Sequence, residues 1–557
     1  MCGILFSSKI ILDLIKAIKY LKKRGPDHTE HKIINNYNFV HVLLSMTGKD
    51  YTIQPFTYND NSIVVMFNGE IYNYKEFGDF NSDGECIIES YKKYGDDFVK
   101  YLDGEFSILL VDFSKDLLYY STDIFSIKPL WFAQDNNDIG LCSYESSLKE
   151  LGFKNINQVE ANTTIKMKLS TRKILLKQTV YDFDLNQHKT TFDDWNSAFE
   201  NAIIKRTCGI KHKIFIGLSG GYDSGLISCV LNKLNIDYKA YTILGSEDLE
   251  LINERHSKLK KGEIIDIDQE EFLNNNKILK ESGEKYYLNI DNGENYRIKE
   301  IEKKIEKILP LYTKSRDNHK KFKLKYKNRK INGSTNRYLN EKHDLSSIKN
   351  KIEDKYLTLC KANERLLKQL IYRKTSQNVL DDNGAIGMSY ICSLSKPQGE
   401  LIYLSGSGAD EVISDYGFNK VKHYGHSTIG GYFPKDLSTV FPWKNFFGNT
   451  QRSYLMKEEI VSGVWGIEGR YPFLDKNVVQ EFLWLDNSLK NSNYKSVIHN
   501  YLVTHNYPFE LNKKIGFNCG FSGKKDNFKK KDKYHIKRDE TPVGIPKGGR
   551  KDLIVDI

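Results

Sequence analysis

The stretch Lys213–Ser224, KIFIGLSGGYDS, decides the fold of the second half of this chain. Its apolar first half predicts a buried strand that ends at Leu218. The segment Gly225–Leu231 has helical spacing, so a glycine-rich turn joins a strand to a helix. Free backbone N–H groups and the positive end of the helix dipole attract anions at such a turn, and glycines let a ligand approach the backbone closely. The pattern predicts a pyrophosphate site.

The turn also supplies polar side chains. The hydroxyls of its two serines can add donors, and its aspartate can hold a metal ion on the phosphates. The Gly-Lys-Ser/Thr ending of a kinase or GTPase phosphate loop is missing. The turn instead resembles the SGGxDS loop of the ATP pyrophosphatase family, whose members adenylate a substrate and release pyrophosphate. We therefore predict that ATP contacts Leu218, Ser219, Gly220, Gly221, Asp223 and Ser224.

Length and composition limit the class of protein. The 557 residues are too many for one hydrophobic core and predict two or three domains. No apolar run is long enough to span a membrane, and the amino terminus lacks the features of a signal peptide. The eight cysteines are scattered without a CxxC pair, which favours a reducing compartment over disulfides or structural zinc. We expect a cytoplasmic protein with no membrane partner.

The net charge of +11 raises the question of nucleic-acid binding. Lysines concentrate in Lys299–Lys351 and Lys513–Lys551. No recognised nucleic-acid motif accompanies these runs, so a solvated surface is the favoured interpretation. We do not expect nucleic acid among the partners.

The amino terminus predicts a second chemistry. Removal of the initiator methionine would leave Cys2 first, with a thiol and a free α-amine on one residue. The amine, with a pKa of about 8, can accept the thiol proton and leave a thiolate nucleophile. Further along, Asn68 can supply a side-chain donor and Gly69 a backbone N–H to an oxyanion, as acyl transfer from an amide requires. The segment Ser82–Glu85 then offers a carboxylate that can bind an ammonium group.

Four segments in this order, MCGI, RGPD, NGEIYN and SDGE, resemble the glutamine amidotransferase domain with an N-terminal nucleophile. The resemblance implies an αββα sandwich over about residues 2–185. It also implies that Cys2 attacks the glutamine carboxamide and that Asn68 and Gly69 form the oxyanion hole. The residues that it implies for glutamine binding are Leu44, Ser45, Asn68, Gly69, Glu70 and Asp83, the last two on the α-amine.

One position departs from that family. Its usual His-x-Arg-Leu-Ser reads here as His41 to Ser45 with Leu43 in place of the arginine that clamps the glutamine carboxylate. Loss of a bidentate guanidinium–carboxylate pair weakens binding by about 2–4 kcal/mol. Two alternatives stay open, namely that a nearby cation substitutes for the arginine or that ammonia replaces glutamine as the nitrogen donor.

A second glycine turn follows another strand-like segment. The apolar run Leu401–Leu404 leads into Ser405–Glu411, SGSGADE. Two strand-to-glycine loops that end in carboxylates suit a nucleotide held between adjacent strand ends of a parallel sheet. We therefore predict two further ATP contacts at this loop and a Mg²⁺ ion shared by two aspartates. The residues are Ser405 and Gly406 for ATP, and Asp223 and Asp410 for Mg²⁺.

The segment Trp465–Asp475, WGIEGRYPFLD, strongly resembles the matching stretch of asparagine synthetases. With SGGYDS and SGSGADE it identifies the chain as a divergent member of the glutamine-hydrolysing asparagine synthetase family. The resemblance implies contact of the backbone near Ile243 with adenine and a role for Lys495 in stabilising negative charge during adenylation. Ser407 stands where many members have a glutamate. The resemblance also implies a homodimer.

The resemblance sets the expected domains. It implies an α+β amidotransferase sandwich followed, over residues 195–520, by an α/β parallel-sheet synthetase domain of the ATP-pyrophosphatase, adenine nucleotide α-hydrolase-like type. A Lys/Asn-rich insertion occupies about residues 270–375, with helical patches at Tyr296–Leu309 and Ile348–Ile371. The basic tail 521–557 is expected to be flexible, as chain ends usually are.

The implied reaction uses glutamine, aspartate and ATP·Mg²⁺ as substrates. Ammonia from glutamine, or free ammonia, would cross between the domains and displace AMP from a β-aspartyl adenylate. Three alternatives remain open: an amide synthetase for another carboxylate, an inactive scaffold that senses or assembles, and a tRNA-modifying pyrophosphatase that uses the basic tail for RNA.

Overall fold

The computed structural model describes residues 2–46, 52–245, 248–267, 279, 304–315, 317–318, 321, 347, 349–362 and 382–510. Residues Met1–Asn289 and Gln377–Lys529 form one compact unit, and Ile290–Ser376 with Lys530–Ile557 form a second. Most of the predicted insertion and all of the predicted tail 521–557 lie outside the described residues. Among the described residues, no helix has both the length and the apolar character needed to cross a bilayer.

The first half of the larger unit consists of antiparallel strands and three short helices. The strands are β1 (Gly3–Ser7), β2 (His28–Ile34), β3 (Tyr37–Leu43), β4 (Phe56–Tyr58), β5 (Ile63–Ile71), β6 (Gly104–Asp112), β7 (Leu117–Thr122), β8 (Trp131–Asp135), β9 (Asp138–Cys142), β10 (Ile156–Gln158), β11 (Thr163–Lys168) and β12 (Ile174–Thr179). The helices are α1 (Leu14–Ala17), α2 (Cys86–Tyr94) and α3 (Glu145–Glu150).

These strands form two six-stranded sheets with the orders β10-β8-β9-β1-β3-β2 and β12-β11-β7-β6-β5-β4. The sheets pack face to face through buried side chains such as Phe6 and Phe39 from the first and Met66 and Leu109 from the second. Apolar residues of α2 cover the outer face of the second sheet. On the first sheet, α3 packs against β9, where Leu148 lies over Gly140. The layer order is αββα, which confirms the predicted sandwich.

The second half of the larger unit is built on a parallel sheet. Its strands are β13 (Lys213–Gly217), β14 (Tyr238–Ile243), β15 (Gly262–Ile265), β16 (Glu400–Leu404) and β19 (Glu468–Arg470), and a small ribbon pairs β17 (Gly417–Phe418) with β18 (Val421–Lys422). The helices are α4 (Asp193–Thr207), α5 (Tyr222–Lys233), α6 (Leu249–Ser257), α7 (Asn383–Ser395), α8 (Lys444–Phe447), α9 (Thr450–Trp465), α10 (Lys476–Trp484), α11 (Asn487–Lys490) and α12 (Ser496–Thr504).

The five strands of the parallel sheet lie in the order β15-β14-β13-β16-β19, and every neighbouring pair is parallel. The carboxyl ends of all five strands therefore meet at one edge of the sheet. Because β13 pairs directly with β16, the two glycine-rich loops that follow these strands lie side by side. The parallel α/β sheet predicted from the sequence is confirmed.

The described part of the second unit is helical. Residues 304–315 and 349–362 are helical and pack together through Ile305, Ile308 and Tyr356. The rings of Tyr312 and Tyr356 stack with their centroids 4.7 Å apart. These residues overlap the two helical patches that the sequence predicts within the insertion.

Candidate active site

Cys2 lies directly before β1, at the edge of the amino-terminal sandwich. Its backbone N–H donates to Asn68 Oδ1 at 3.0 Å, and its Sγ lies 3.8 Å from the Leu44 carbonyl oxygen. Arg24 Nε donates to the Cys2 carbonyl oxygen at 2.9 Å and fixes the backbone at this point. Burial raises the pKa of the Cys2 thiol to about 11, so the thiol needs a neighbouring base in order to act as a nucleophile.

Asn68 and Gly69 lie side by side on β5. The Asn68 side chain is fully buried, and its Nδ2 has no hydrogen-bond partner among the described residues. A buried amide donor without a partner is costly unless a ligand completes it. Gly69 has a φ of +139°, and a Cβ at this position would overlap the Glu105 carbonyl oxygen. Only glycine fits there, and the pair presents donors next to Cys2.

A pocket opens between Cys2 and the loops around it. Among its described lining residues, three are carboxylates and none is a lysine or arginine. Leu43 lines the pocket with an apolar side chain, and Ser45 beside it accepts a hydrogen bond from Lys211 Nζ at 3.3 Å. Lys211 is therefore a cation within reach of the pocket wall. The residues of the pocket are Cys2, Leu43, Leu44, Ser45, Met46, Thr52, Gln54, Phe67, Gly69, Glu70, Ser82, Asp83 and Glu468.

The carboxylates of the pocket are buried and interact with one another. Asp83 Oδ2 accepts the Ile71 N–H at 2.7 Å, yet burial raises the pKa of Asp83 to about 6. Burial also holds the pKa of Glu70 well above its usual range, and the neighbouring Glu468 carboxylate adds to this effect. Arg470 Nη2 lies 3.3 Å from Glu70 Oε2 and partly offsets the shift. A pocket with this excess of negative charge suits a cationic group such as an α-ammonium.

The second site lies at the carboxyl edge of the parallel sheet, where one lysine joins the two glycine loops. Lys495 Nζ lies 2.6 Å and 2.8 Å from the two carboxylate oxygens of Asp223, and 2.8 Å from Asp410 Oδ1. Burial opposes the charged form, but the two carboxylates hold the pKa of Lys495 well above its usual range. Lys495 has a φ of +48° just before α12. The structure thus brings Asp410 and Lys495 next to Asp223, although Lys495 lies 272 residues after Asp223 in the sequence.

The first glycine-rich loop, Ser219–Ser224, is held in shape by hydrogen bonds to the hydroxyls of its own two serines. The Ser219 N–H donates to Ser224 Oγ at 3.1 Å, and the Gly221 N–H donates to Ser219 Oγ at 3.1 Å. Gly406 of the second loop packs against this one, because its Cβ would lie 3.0 Å from the Asp223 Cβ. The two loops that contain predicted ATP residues are therefore in direct contact.

The predicted adenine contacts lie beside the first loop. Leu218 donates its N–H to the Tyr241 carbonyl oxygen at 2.8 Å, and Thr242 Oγ1 donates to the Leu218 carbonyl oxygen at 2.6 Å. Ile243 ends β14 and is nearly buried. Leu218 and Ile243 thus lie at the ends of neighbouring strands.

Arg255 is a residue of this site that the sequence analysis missed. Its guanidinium donates to the Ser219 carbonyl oxygen and, at 2.9 Å, to the Gly221 carbonyl oxygen. It is fully buried, and Gly225 leaves it room, since a Cβ there would lie 2.6 Å from Arg255 Nη2. Arg255 falls three residues after the buried Ile252 on α6, and a charge on the apolar face of a helix was the available signal.

Glu458 on α9 is a second missed residue. Its carboxylate accepts hydrogen bonds from Ser405 Oγ at 2.6 Å and from Ser407 Oγ at 2.7 Å. The Ser405 N–H in turn donates to the Arg470 carbonyl oxygen at 2.9 Å. The second glycine loop is therefore tied both to α9 and to β19. No local pattern in the sequence indicates this pairing.

Two carboxylates are a sufficient protein contribution for a magnesium ion. Among the described residues, no group of three or more His, Cys, Asp or Glu side chains is placed to hold a metal. Mg²⁺, however, usually binds through one or two carboxylates and completes its shell with water and substrate phosphates. Asp223 and Asp410, which converge on one cation at Lys495, fit this requirement.

Buried ion pairs join the two halves of the larger unit. Glu459 on α9 binds Arg24 at 2.8 Å and Lys128 at 3.0 Å, and all three side chains are inaccessible to solvent. On the other side, Arg206 on α4 lies 2.7 Å from Glu105. Because these charges are paired with partners from the opposite half, the relative placement of the two sites is fixed.

Residues 1–186 match the family model of the glutamine amidotransferase domain. The sandwich with Cys2, Asn68 and Gly69 thus lies within a glutamine amidotransferase domain, and a parallel sheet with two glycine-rich loops follows it.

The chain is also similar to curated proteins. A putative glutamine-hydrolysing asparagine synthetase of Methanocaldococcus jannaschii is 26% identical over 321 residues, which cover 48% of this chain and 58% of that protein. Asparagine synthetase 2 of Bacillus subtilis is 36% identical over 147 residues, 25% of this chain and 19% of that protein. Amidase chyE of Penicillium rubens is 33% identical over 133 residues, 22% of this chain and 20% of that protein. The matched part thus spans at most 58% of these relatives. Over part of its length the chain is thus similar to glutamine-hydrolysing asparagine synthetases.

Proposed function

We propose that this protein is an ATP-dependent asparagine synthetase that transfers ammonia, from glutamine or free in solution, to the β-carboxylate of aspartate. The convergence of Asp223 and Asp410 on Lys495 Nζ carries the proposal. Glutamine hydrolysis at Cys2 does not need a second site of carboxylates and a lysine, whereas activation of a carboxylate by ATP does. The proposed domains are an amidotransferase at 2–185, a synthetase at 195–520 with its insertion, and the tail 521–557.

In the first half-reaction Cys2 Sγ attacks the carboxamide carbon of glutamine. The α-amine of the mature Cys2 accepts the thiol proton, and because burial raises the pKa of the thiol, this transfer accompanies the attack. The oxyanion receives hydrogen bonds from Asn68 Nδ2 and the Gly69 N–H. Ammonia leaves, and water releases glutamate from the thioester. Glu70 and Asp83 bind the α-ammonium, and Leu44 and Ser45 border the substrate.

In the second half-reaction the β-carboxylate of aspartate attacks the α-phosphate of ATP and pyrophosphate leaves. The backbone around Ser219, Gly220 and Gly221 cradles the pyrophosphate, and Lys495 stabilises its growing negative charge. Adenine lies against Leu218 and Ile243. Ammonia then displaces AMP from the acyl adenylate.

Asp223 and Asp410 would hold Mg²⁺, which supplies charge neutralisation on the leaving pyrophosphate. The Lys495 ammonium lies between these carboxylates. The Ser405 hydroxyl donates to Glu458, so Ser405 contributes to ATP binding through the shape of its loop rather than as a donor.

The proposed partners are therefore small molecules. The proposed location is the cytoplasm, and the proposed assembly is a homodimer. A second candidate is an ATP-dependent amide synthetase for another carboxylate. The similarity to amidase chyE and the apolar Leu43 in the glutamine pocket favour this alternative over an inactive scaffold.

The test is asparagine production with either glutamine or ammonium chloride, for the wild type and for Cys2→Ala. We expect wild-type product from both donors and Cys2→Ala product from ammonium chloride alone. ATP–pyrophosphate exchange with a panel of carboxylates runs in parallel. Exchange with another acid but not with aspartate would select the second candidate, and absence of both exchange and ATP binding would leave an inactive scaffold.

A further inference from the structure

A cavity lies at the amino edge of the parallel sheet, where the strands begin and opposite the edge that carries the two glycine-rich loops. Its wall includes the first residues of three neighbouring strands, Lys213 of β13, Tyr238 of β14 and Glu400 of β16. Its volume is about 300 Å³, which is within the range of pockets that hold small molecules. Neither half-reaction of the proposed synthesis uses this edge.

Two lysines of the cavity have no anionic partner. Lys211 Nζ donates to Ser45 Oγ at 3.3 Å, and Lys213 Nζ donates to the Gln398 carbonyl oxygen at 3.0 Å. Both acceptors are neutral, and within the described part of the chain neither lysine forms an ion pair. The other two lysines of the wall are each paired with a carboxylate. Two positive charges therefore remain available to an anionic group of a ligand.

Glu400 supplies a negative charge to the same cavity. The residue is 5% exposed, and its Oε2 accepts the Tyr241 hydroxyl proton at 2.7 Å. Its Oε1 has no hydrogen-bond donor among the residues that the structure describes, and a buried carboxylate oxygen of this kind favours a ligand that donates to it. Lys213 and Glu400 lie opposite one another on β13 and β16, yet their charged groups do not form an ion pair with each other. The two charges can therefore each meet a ligand.

The rest of the wall is largely apolar. Ile210, Ile214 and Ile236 line the cavity beside the charged groups. An inorganic ion would leave this apolar surface in contact with water, whereas a ligand with a hydrocarbon part would bury it favourably. The cavity thus offers an anion site, a cation site and an apolar surface together.

We propose that this cavity is a binding site for an α-amino acid with an aliphatic side chain. The α-carboxylate lies against Lys211 and Lys213, and the α-ammonium donates to Glu400. The side chain packs on the isoleucines of the wall. A zwitterion satisfies both unpaired charges at once, which neither a simple anion nor a simple cation can do.

The segment that lines the cavity also touches the glutamine pocket. His212 Nε2 lies 2.9 Å from the Ser45 carbonyl oxygen, and Lys211 Nζ donates to the hydroxyl of the same serine. Ser45 lines the pocket beside Cys2. A ligand carboxylate competes with Ser45 Oγ for the Lys211 ammonium, so a bound amino acid should weaken glutamine binding. This coupling rests on the proposed function, whereas binding at the cavity does not.

Calorimetric titration of the full-length protein with L-leucine tests the site. 4-Methylpentanoate is leucine without its amine, and 3-methylbutylamine is leucine without its carboxylate. We expect leucine to bind with a dissociation constant of about 1 mM or lower. Each analogue should bind at least about tenfold more weakly, as expected for the loss of one hydrogen bond between charged groups. The proposal is overturned if leucine does not bind in this range or if either analogue binds as well as leucine.

Two conservative variants locate the binding. Glu400→Gln keeps an acceptor for the Tyr241 hydroxyl, and Lys213→Gln changes an exposed side chain, so a folding defect in one leaves the other as a test. Each should weaken leucine binding by about tenfold or more. Lys173→Gln removes an exposed lysine that does not line the cavity, and it should bind leucine like the wild type. Unchanged binding in both cavity variants would place leucine elsewhere and refute the proposed site.

Glutamate release from glutamine measures the coupling. Saturating leucine should raise KM for glutamine by about fivefold in the wild type and leave kcat unchanged, and the effect should disappear in Lys213→Gln. Leucine that binds at the cavity without a change in KM would refute the coupling through Ser45 and leave the binding site standing. A wild type that releases no glutamate would contradict the proposed function, while the titration would still decide whether the cavity binds an amino acid.

Discussion

Arg470 Nη2 lies 3.3 Å from Glu70 Oε2, and the two residues belong to opposite halves of the chain. The Arg470 carbonyl oxygen also accepts the Ser405 N–H at 2.9 Å. One residue of β19 therefore contacts the pocket beside Cys2 with its side chain and the second glycine loop with its backbone. The short strand is a direct physical connection between the two sites.

Replacing Arg470 with methionine should impair the glutamine reaction selectively. Glu70 would lose its cation, and because burial already raises its pKa, it would take up a proton and no longer attract an ammonium group. We expect glutamine-dependent kcat/KM to fall about 30-fold, or about 2 kcal/mol. Synthesis from ammonium chloride should change less than threefold, because the backbone contact to Ser405 remains. Equal losses with both donors would contradict a role for this ion pair in glutamine binding.

Protonation of Asp83 should weaken glutamine binding at acid pH. Its pKa is raised to about 6 by burial. In the proposed function only its deprotonated form attracts the α-ammonium of glutamine. Below pH 6 the protonated form dominates, so KM for glutamine should rise about tenfold for each further pH unit, as expected for one titrating group. Initial rates of glutamate release between pH 5 and 8 measure this. Asp83→Asn should have a high KM that no longer varies with pH over this range.

Gly69→Ala should remove glutaminase activity. A Cβ at residue 69 meets the Glu105 carbonyl oxygen on the neighbouring strand, so β5 must shift and carry Asn68 away from Cys2. Gly95→Ala is the control, because Gly95 also has a positive φ, +56°, but open space around its Cβ. We expect Gly95→Ala to cost about 1–3 kcal/mol of stability, because its φ of +56° with a ψ of −126° favours glycine, and to keep full glutaminase activity. Glutamate release from purified Gly69→Ala near the wild-type rate would show that the oxyanion site lies elsewhere.

Glu459→Gln should destabilise the protein strongly. The change leaves Arg24 and Lys128 buried without their anion, and uncompensated buried charges cost about 3–5 kcal/mol. Glu160→Gln breaks an exposed pair with Lys177 and should cost less than about 1 kcal/mol. Urea denaturation of both variants gives the comparison. Similar midpoints for the two variants would mean that the halves are not held together by these charges.

The sequence predicted the parts of the sites that follow from local chemistry. A strand, two glycines and a carboxylate occur together in the twelve residues Lys213–Ser224, and a helical segment follows directly, so the loop could be recognised without any knowledge of distant contacts. The same holds for the loop after β16 and for Cys2. The prediction that Asp223 and Asp410 lie close together followed from the rule that loops at the carboxyl ends of adjacent parallel strands share an edge. In the structure both carboxylates contact Lys495 Nζ.

The sequence could not predict the partners that arrive from elsewhere in the chain. Arg255 reaches Gly221 across 34 residues, and Glu458 reaches Ser407 across 51 residues. Each depends on how a helix rotates against the sheet, which the spacing of apolar residues does not determine. The segment WGIEGRYPFLD could be recognised, but its role in joining the halves could not be read from it. Glu468 lines the pocket of Cys2, and Tyr471 donates its N–H to Glu105 at 2.9 Å.

The contribution of Glu468 and Arg470 to the cysteine pocket limits how this protein can be divided. A truncated gene product that stopped at residue 186 would carry the nucleophile and the oxyanion donors but neither of these two side chains. Its Lys128, which normally meets Glu459, would face solvent on a newly exposed surface. A fusion of this domain to a different acceptor enzyme would therefore have to include β19 and part of α9 as well, because both supply side chains that the isolated domain lacks.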